Sequence, residues 1–194
     1  MEFDKKQLLE LIQESPCFKS IELSEIPDID LYMDQVTTFM ENKLQEFKRT
    51  DEDKILTKTM INNYTKNQIL PAPTKKKYSN KHIMLLILTY HLKQILSISD
   101  IHSLLSPISK KSDSKLNITI PIETIYENFT EIQSKEYSAF AENMTKKMSE
   151  LQEQVDSQEK NSDVLILFSM IFSLIIQASL EKKFAEKLID NFFK

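Results

Sequence analysis

Apolar side chains return at intervals of three to five along most of this chain, and the pattern predicts a succession of helices. Leu8, Leu9, Leu11 and Ile12 mark a short helix over residues 4–14, stopped by Ser15 and Pro16, with a linker through Pro27. From Asp28 or Asp30, either a plausible N-cap, the residues Leu31, Val36, Phe39, Met40, Leu44 and Phe47 outline a helix to about Lys48. Thr57 is expected to cap a helix running from Lys58 to about Asn67, with Met60, Ile61 and Tyr64 inward, and Pro71 and Pro73 prevent its continuation. Ser79 or Asn80 then caps a helix from Lys81 to Leu96 that is apolar enough to be deeply packed. A short helix beginning at Ser99 or Asp100 turns Ile101, Leu104 and Leu105 inward and ends before Pro107.

The last third of the sequence is patterned on a larger scale. From Ile122 to Val155 the positions Ile125, Phe129, Ile132, Tyr137, Phe140, Met144, Met148 and Leu151 sustain a long helix with coiled-coil spacing. A polar turn over residues 156–162 precedes an almost wholly apolar run, Val164 to Leu180, and a final amphipathic helix carries Phe184, Leu188, Ile189, Phe192 and Phe193. The apolar run would reach about 25 Å against a bilayer core of about 30 Å. Ser169, Ser173 and Gln177 share one face of it, which suits a helix in a bundle or dimer interface better than one in lipid. A membrane-tethered form is the less favoured alternative.

Composition narrows the chemistry. Among 194 residues there is no glycine, so a Gly-rich phosphate loop, a dinucleotide fingerprint and a Gly-flanked nucleophile elbow are all excluded. Without glycine a β-rich fold is also disfavoured, and asparagines are expected at left-handed positions. Cys17 stands alone and reads as a small apolar residue; His82, His91 and His102 have neither i, i+4 spacing nor a cysteine neighbour, so they read as ordinary surface or core residues rather than metal ligands. Asp51 to Asp53 reads as a solvated loop and Met144 with Met148 as core. The N-terminus lacks a basic stretch followed by an apolar run, and a cytoplasmic protein is expected. No constellation supports an enzyme, and no cofactor is implied.

Charge changes the picture most. Lys54 to Ser99, 46 residues, contain no acidic side chain and eight lysines, whereas the whole chain carries a net charge of −4, leaving −12 for the remainder. A single arginine, Arg49, among many lysines suggests AT-biased coding, but such bias places lysine everywhere and does not clear acids from one stretch. Sorting of this kind points to a surface that meets an extended anion, of which nucleic acid is the commonest.

Within that stretch the order of parts resembles the helix-turn-helix half of MerR-type regulators: Met60-Ile61-Asn62-Asn63-Tyr64, then Ile69-Leu70-Pro71, Lys76-Lys77-Tyr78-Ser79, Ile83 to Leu96, and Ile98-Ser99-Asp100-Ile101. With Ile26-Pro27-Asp28-Ile29-Asp30-Leu31-Tyr32-Met33-Asp34-Gln35 upstream, it is similar to an uncharacterised family of Gram-positive bacterial proteins, a domain of unknown function with a MerR-like helix-turn-helix. Asn62 stands where an arginine is usual, Gln68 where a glycine follows the recognition helix, and the wing is shorter and glycine-free.

The resemblance implies an all-α fold: a MerR-like winged helix-turn-helix with a shortened wing over residues 28–109, an N-terminal helix and linker over 1–27, and a C-terminal region over 110–194 comprising a long helix and a helical hairpin that dimerises. It implies a homodimeric DNA-binding transcriptional regulator acting on double-stranded DNA. Lys58, Thr59, Asn62 and Asn63 would face the major groove, where asparagine suits bidentate adenine contact. Tyr64, Lys66, Lys75, Lys76, Lys77 and Lys81 would reach the backbone, with Tyr78 packing the wing; Lys54 and Lys93 fall outside the DNA-facing group. Tyr64 and Tyr78 also fit core positions, and Lys75 to Lys77 fit a solvated loop. The alternative is a helical protein-interaction module that has lost DNA binding.

Overall fold

The computed structural model describes residues 7, 10–11, 20–108, 119–154 and 161–194. Of the helix expected over residues 4–14, Gln7, Glu10 and Leu11 are described and helical. Its stop at Ser15-Pro16, Cys17, Val155 and the polar turn over 156–160 lie outside the described residues. The chain forms two compact units, Ser20–Glu131 with Phe184–Lys194, and a second that includes Ile132–Lys183.

Six α-helices and one two-stranded ladder carry the described fold: β1 (Leu31–Tyr32), α1 (Met33–Leu44), α2 (Lys58–Lys66), β2 (Lys77–Tyr78), α3 (Asn80–Leu92), α4 (Ile98–Leu105), α5 (Ile122–Gln154) and α6 (Ser162–Phe192). The architecture is largely all-α, as the periodicity predicts. Several features differ. Leu31 begins a strand rather than a helix, because it pairs antiparallel with Tyr78 while Tyr32 pairs with Lys77. Consequently neither Asp28 nor Asp30 caps α1; the backbone N–H of Tyr32 donates to Gln35 Oε1 at 2.9 Å instead. The apolar run and the final amphipathic helix, expected as separate elements of a hairpin, are one helix, α6. Nothing between Leu180 and Phe184 breaks it, since Glu181, Lys182 and Lys183 are all good helix formers.

In the first unit α3 is the central element. Eight successive residues, Ile83 to Tyr90, are buried, so every face of the helix is covered. A helix apolar all round is stable only in such surroundings, and each large side chain enclosed contributes roughly 1.5–3 kcal/mol. The buried Thr89 hydroxyl is satisfied internally, its Oγ1 donating to the Leu85 carbonyl at 2.6 Å. α3 ends at Leu92, a turn earlier than the apolar pattern alone predicts, and Ser97 caps α4 by accepting from the Asp100 N–H at 3.2 Å. α1 buries Val36, Met40 and Leu44 at i, i+4, i+8 and packs against both α2 and β2.

Residues 20–26, expected to be linker, are part of this core. Ile21 and Ile26 are buried, and Tyr126 of α5, fully enclosed, donates its hydroxyl to the Ile21 carbonyl at 2.6 Å. Burial, with Glu22 and Glu25 nearby, pushes that hydroxyl's pKa far up and keeps it a donor. Ser20 Oγ adds a bond to the Thr130 carbonyl at 3.3 Å. At the far end of α3, His91 sits among Phe47, Tyr90 and Phe129, with ring centroids 5.0 to 5.4 Å away.

The second unit is simpler: Met144 and Met148 of α5 bury against Met170 of α6, with Ala141 and Leu151 beside them. Met144 and Met148 are core residues, as expected.

Burial pushes the pKa of His91 down to about 4, from an ordinary value near 6.5. The unfolded chain therefore takes up a proton that the folded chain resists, so the stability due to neutral His91 is complete above about pH 6.5 and is lost as pH falls towards 4. The loss is expected to be on the order of 2–3 kcal/mol. Thermal melts between pH 7 and 4 check it: the midpoint should fall more steeply in the native protein than in His91→Phe, and equal slopes would refute the assignment.

Candidate functional site

The acid-free stretch folds into α2, a tight hairpin and the start of α3. α2 begins where Thr57 Oγ1 accepts from the Met60 N–H at 3.2 Å. Ile61 and Tyr64 face the core at i, i+3, which leaves Lys58, Thr59, Asn62, Asn63 and Lys66 on the solvent side. Five of the proposed DNA-facing residues thus share the exposed part of one helix. Tyr64, assigned above to a phosphate contact, is only 3% exposed, and burial raises its hydroxyl pKa; it anchors α2 rather than lying on its surface.

The helix closes with a Schellman motif. The Ile69 N–H reaches back to the Tyr64 carbonyl at 3.0 Å and the Gln68 N–H to the Thr65 carbonyl at 3.1 Å. This requires a left-handed residue at Gln68, whose φ is 58°. The position usually given to glycine keeps its conformation although the side chain has changed. Buried Ile69 and Leu70 then lead into Pro71.

Thr74 and Lys77 exchange both backbone hydrogen bonds, at 3.1 and 2.9 Å, around Lys75 and Lys76. Both central residues have positive φ, 51° and 64°, the signature of a type I′ turn that favours Asn-Gly. Each lysine is held there at a cost of roughly 1–2 kcal/mol relative to right-handed backbone. The absence of glycine predicts asparagine at such positions; of the four left-handed residues described, only Asn161 is one. The β1–β2 ladder holds the turn at its base, and Lys77 lies over the Tyr32 ring with its ammonium 5.2 Å from the centroid. Tyr78 is buried and meets His82 edge-on at 5.5 Å, the packing role expected of it. His82 in turn accepts the Ser79 N–H through Nδ1 at 3.1 Å, so it closes the N-terminus of α3. Burial lowers its pKa, with backbone carbonyls of Ala72 and Pro71 and the charge of Asp30 opposing.

Charge separation along the sequence is not fully preserved in space. Asp34 of α1 pairs with Lys58, and Glu123 of α5 pairs with Lys81 at 2.9 Å. Lys66, Lys75 and Lys76 are exposed and, among the described residues, have no acidic partner within ion-pair distance. Lys93 is partly buried over the Tyr90 ring, 5.6 Å from its centroid. At the end of α2 an open cleft of about 420 Å³ is lined by Lys66, Asn67, Gln68, Ile98, Ser99 and His102. It adjoins the first turn of α4, whose free backbone N–H groups favour negative charge. Asn67, Ser99 and His102 carry no local sequence signal for this; only the Schellman turn and the docking of α4 bring them together.

Replacing Lys75-Lys76 by Asn-Gly should release the strain of the turn. The double variant is expected to gain about 1–2 kcal/mol of stability, a rise of roughly 2–4 °C in melting midpoint for each kcal/mol. A thermal melt showing no gain or a loss would contradict the left-handed turn.

No curated protein matches this chain. No solved structure matches it either. Residues 21–129 match a family described as Domain of unknown function (DUF1836). The two ends of that match meet in the fold, since Ile21 accepts the Tyr126 hydroxyl and Phe129 completes the aromatic cluster around His91. The match takes in more than half of the sequence, and the chain belongs to the DUF1836 family.

Proposed function

We propose that the DUF1836 unit of this chain is a MerR-like winged helix-turn-helix with a two-residue wing, and that the protein is a homodimeric transcriptional regulator acting on double-stranded DNA in the cytoplasm. The observation that carries this reading is the hairpin tip: two exposed lysines kept in left-handed backbone that neither prefers. Strain of that kind persists where surrounding structure imposes it, and it concentrates at working sites.

In this reading α2 enters the major groove. Asn62 and Asn63 offer amide groups that match the N6 and N7 edge of adenine, and Thr59 is placed to contact a base edge or thymine methyl. Lys66, Lys75 and Lys76 neutralise phosphates, and Lys77 follows the strand; such contacts set register and orientation but do not choose sequence. Lys58 and Lys81 contribute only after parting from Asp34 and Glu123. Two copies present two recognition helices to grooves about 34 Å apart.

Those two ion pairs favour the second reading, in which the same fold serves as a protein-interaction module without DNA. The two readings separate on salt and on lysine. With about six phosphates neutralised, affinity for DNA should fall on the order of a thousandfold between 50 and 200 mM salt. Lys75→Ala/Lys76→Ala should weaken binding to all sequences alike and flatten the salt dependence, by about 0.9 in log–log slope for each phosphate no longer neutralised. Asn62→Ala should instead relax sequence choice, at about 1–3 kcal/mol for a bidentate pairing. Mobility shifts on genomic fragments across this salt range decide: absence of binding by pure dimer at low salt overturns the regulator.

A further inference from the structure

The second unit turns the expected helix inside out. Gln177, from the polar stripe of α6, faces α5: Lys147 Nζ donates to Gln177 Oε1 at 2.6 Å, and Gln177 Nε2 donates to Glu181 Oε1 at 2.8 Å. Ser169 and Ser173, on the same stripe, are half-buried. The adjoining side is apolar and open. Val164, Phe168, Ile171, Phe172, Ile175 and Ile176 are each 42–60% exposed, and on an ideal helix they fall within about 140° of its circumference. This patch amounts to on the order of 600–900 Å² of apolar surface, beyond the largest patch of most monomers and comparable to one side of a standard interface. A groove of about 690 Å³ borders it, lined by Lys147, Phe172, Ile176, Gln177, Leu180 and Glu181.

Two occupants compete, and the structure separates them. α6 is long and apolar enough to cross a membrane by length and composition. Yet Met170 packs on Met144 and Met148, so α5 runs beside the apolar segment and would carry Glu142, Lys146, Lys147 and Glu150 into hydrocarbon with it. Each lysine alone would cost about 2.5–3.5 kcal/mol at mid-depth. A second copy fits without that penalty. The ridge lies on α6 and the groove beside it is lined by α6 and Lys147 of α5, so two copies related by a two-fold axis can each seat a Phe168–Phe172 ridge beside the other's groove, giving a four-helix arrangement.

We propose that the outward face of α6 pairs with the same face of a second copy, and that the Lys147–Gln177–Glu181 relay fixes the register of the pair. This rests on the dimeric reading above and names the surface that makes the dimer. The relay suits burial under a partner. Its two charges cancel, and both ends of the Gln177 amide are already bonded, so covering it leaves that amide paired. In helical assemblies a single polar position of this kind selects register and copy number while lowering affinity.

The full chain under reducing conditions, in detergent-free buffer at micromolar concentration, should have twice the 22.7 kDa mass of one copy by light scattering. Phe172→Glu/Ile176→Glu should halve that mass while the melt of the DUF1836 unit persists. Gln177→Leu should stay associated but spread into dimers and larger species. A monomeric native chain, a double variant that remains dimeric, a uniform Gln177→Leu dimer, or flotation of the native chain with phosphatidylcholine vesicles would each overturn the proposal. Should the double variant fail to fold, the native mass and the Gln177→Leu distribution decide. Mobility shifts on the same samples keep the two ideas apart. A native dimer that ignores DNA, with a monomeric double variant, retains the interface and removes the regulator. Salt-sensitive DNA binding with a still-dimeric double variant does the reverse.

Discussion

Burial of α3 on every face from Ile83 to Tyr90 is the constraint on which the rest of the DUF1836 unit depends. Eight consecutive enclosed residues require neighbours on every side, and they are supplied by distant parts of the chain. α1 and α2 belong to the same core, the ladder at Tyr78 lies at its N-terminal end, and the ring cluster around His91 forms near its C-terminal end. Ile21 and Tyr126, 105 positions apart, are joined in the same core by one hydrogen bond. The exposed side of α2 and the lysine hairpin are placed by this core: Ile61 and Tyr64 hold one, and Leu31 with Tyr78 holds the base of the other.

Replacing glycine at every turn has a physical consequence. Gln68, Lys75 and Lys76 adopt conformations that glycine reaches without strain, and the fold imposes them through the Schellman bonds and the paired Thr74 and Lys77. At Gln68 the burial of Ile69 offsets the strain. At Lys75 and Lys76 the paired Thr74 and Lys77 impose the turn, and buried Tyr78 with Leu31 holds its base.

Helix positions were legible because they rest on local signals: Thr57 as cap, the spacing of Val36, Met40 and Leu44, and the unbroken apolar run of α3. What escaped depends on partners far along the chain. Leu31 is a strand residue only because Tyr78 lies beside it, and Ile21 is core only because Tyr126 reaches it. The candidate surface was legible as a lysine-rich, acid-free stretch, but linear charge does not register Asp34 and Glu123, which fold back onto Lys58 and Lys81. The apolar character of Val164–Leu180 was equally plain. Its outward orientation was not, since it depends on Ile166 and Met170 being the residues that pack inward.

Two surfaces of different chemistry therefore follow from one chain: a cationic one around α2 and the hairpin, and an apolar one along α6. The cationic surface is proposed to meet DNA, and chromatin occupancy of the full-length protein in its source organism tests that most directly. Discrete sites containing paired half-sites about one helical turn apart are expected, occupied by the native protein and vacated by Lys75→Ala/Lys76→Ala. Occupancy no higher than background for the native protein, with the protein present and folded, would contradict it.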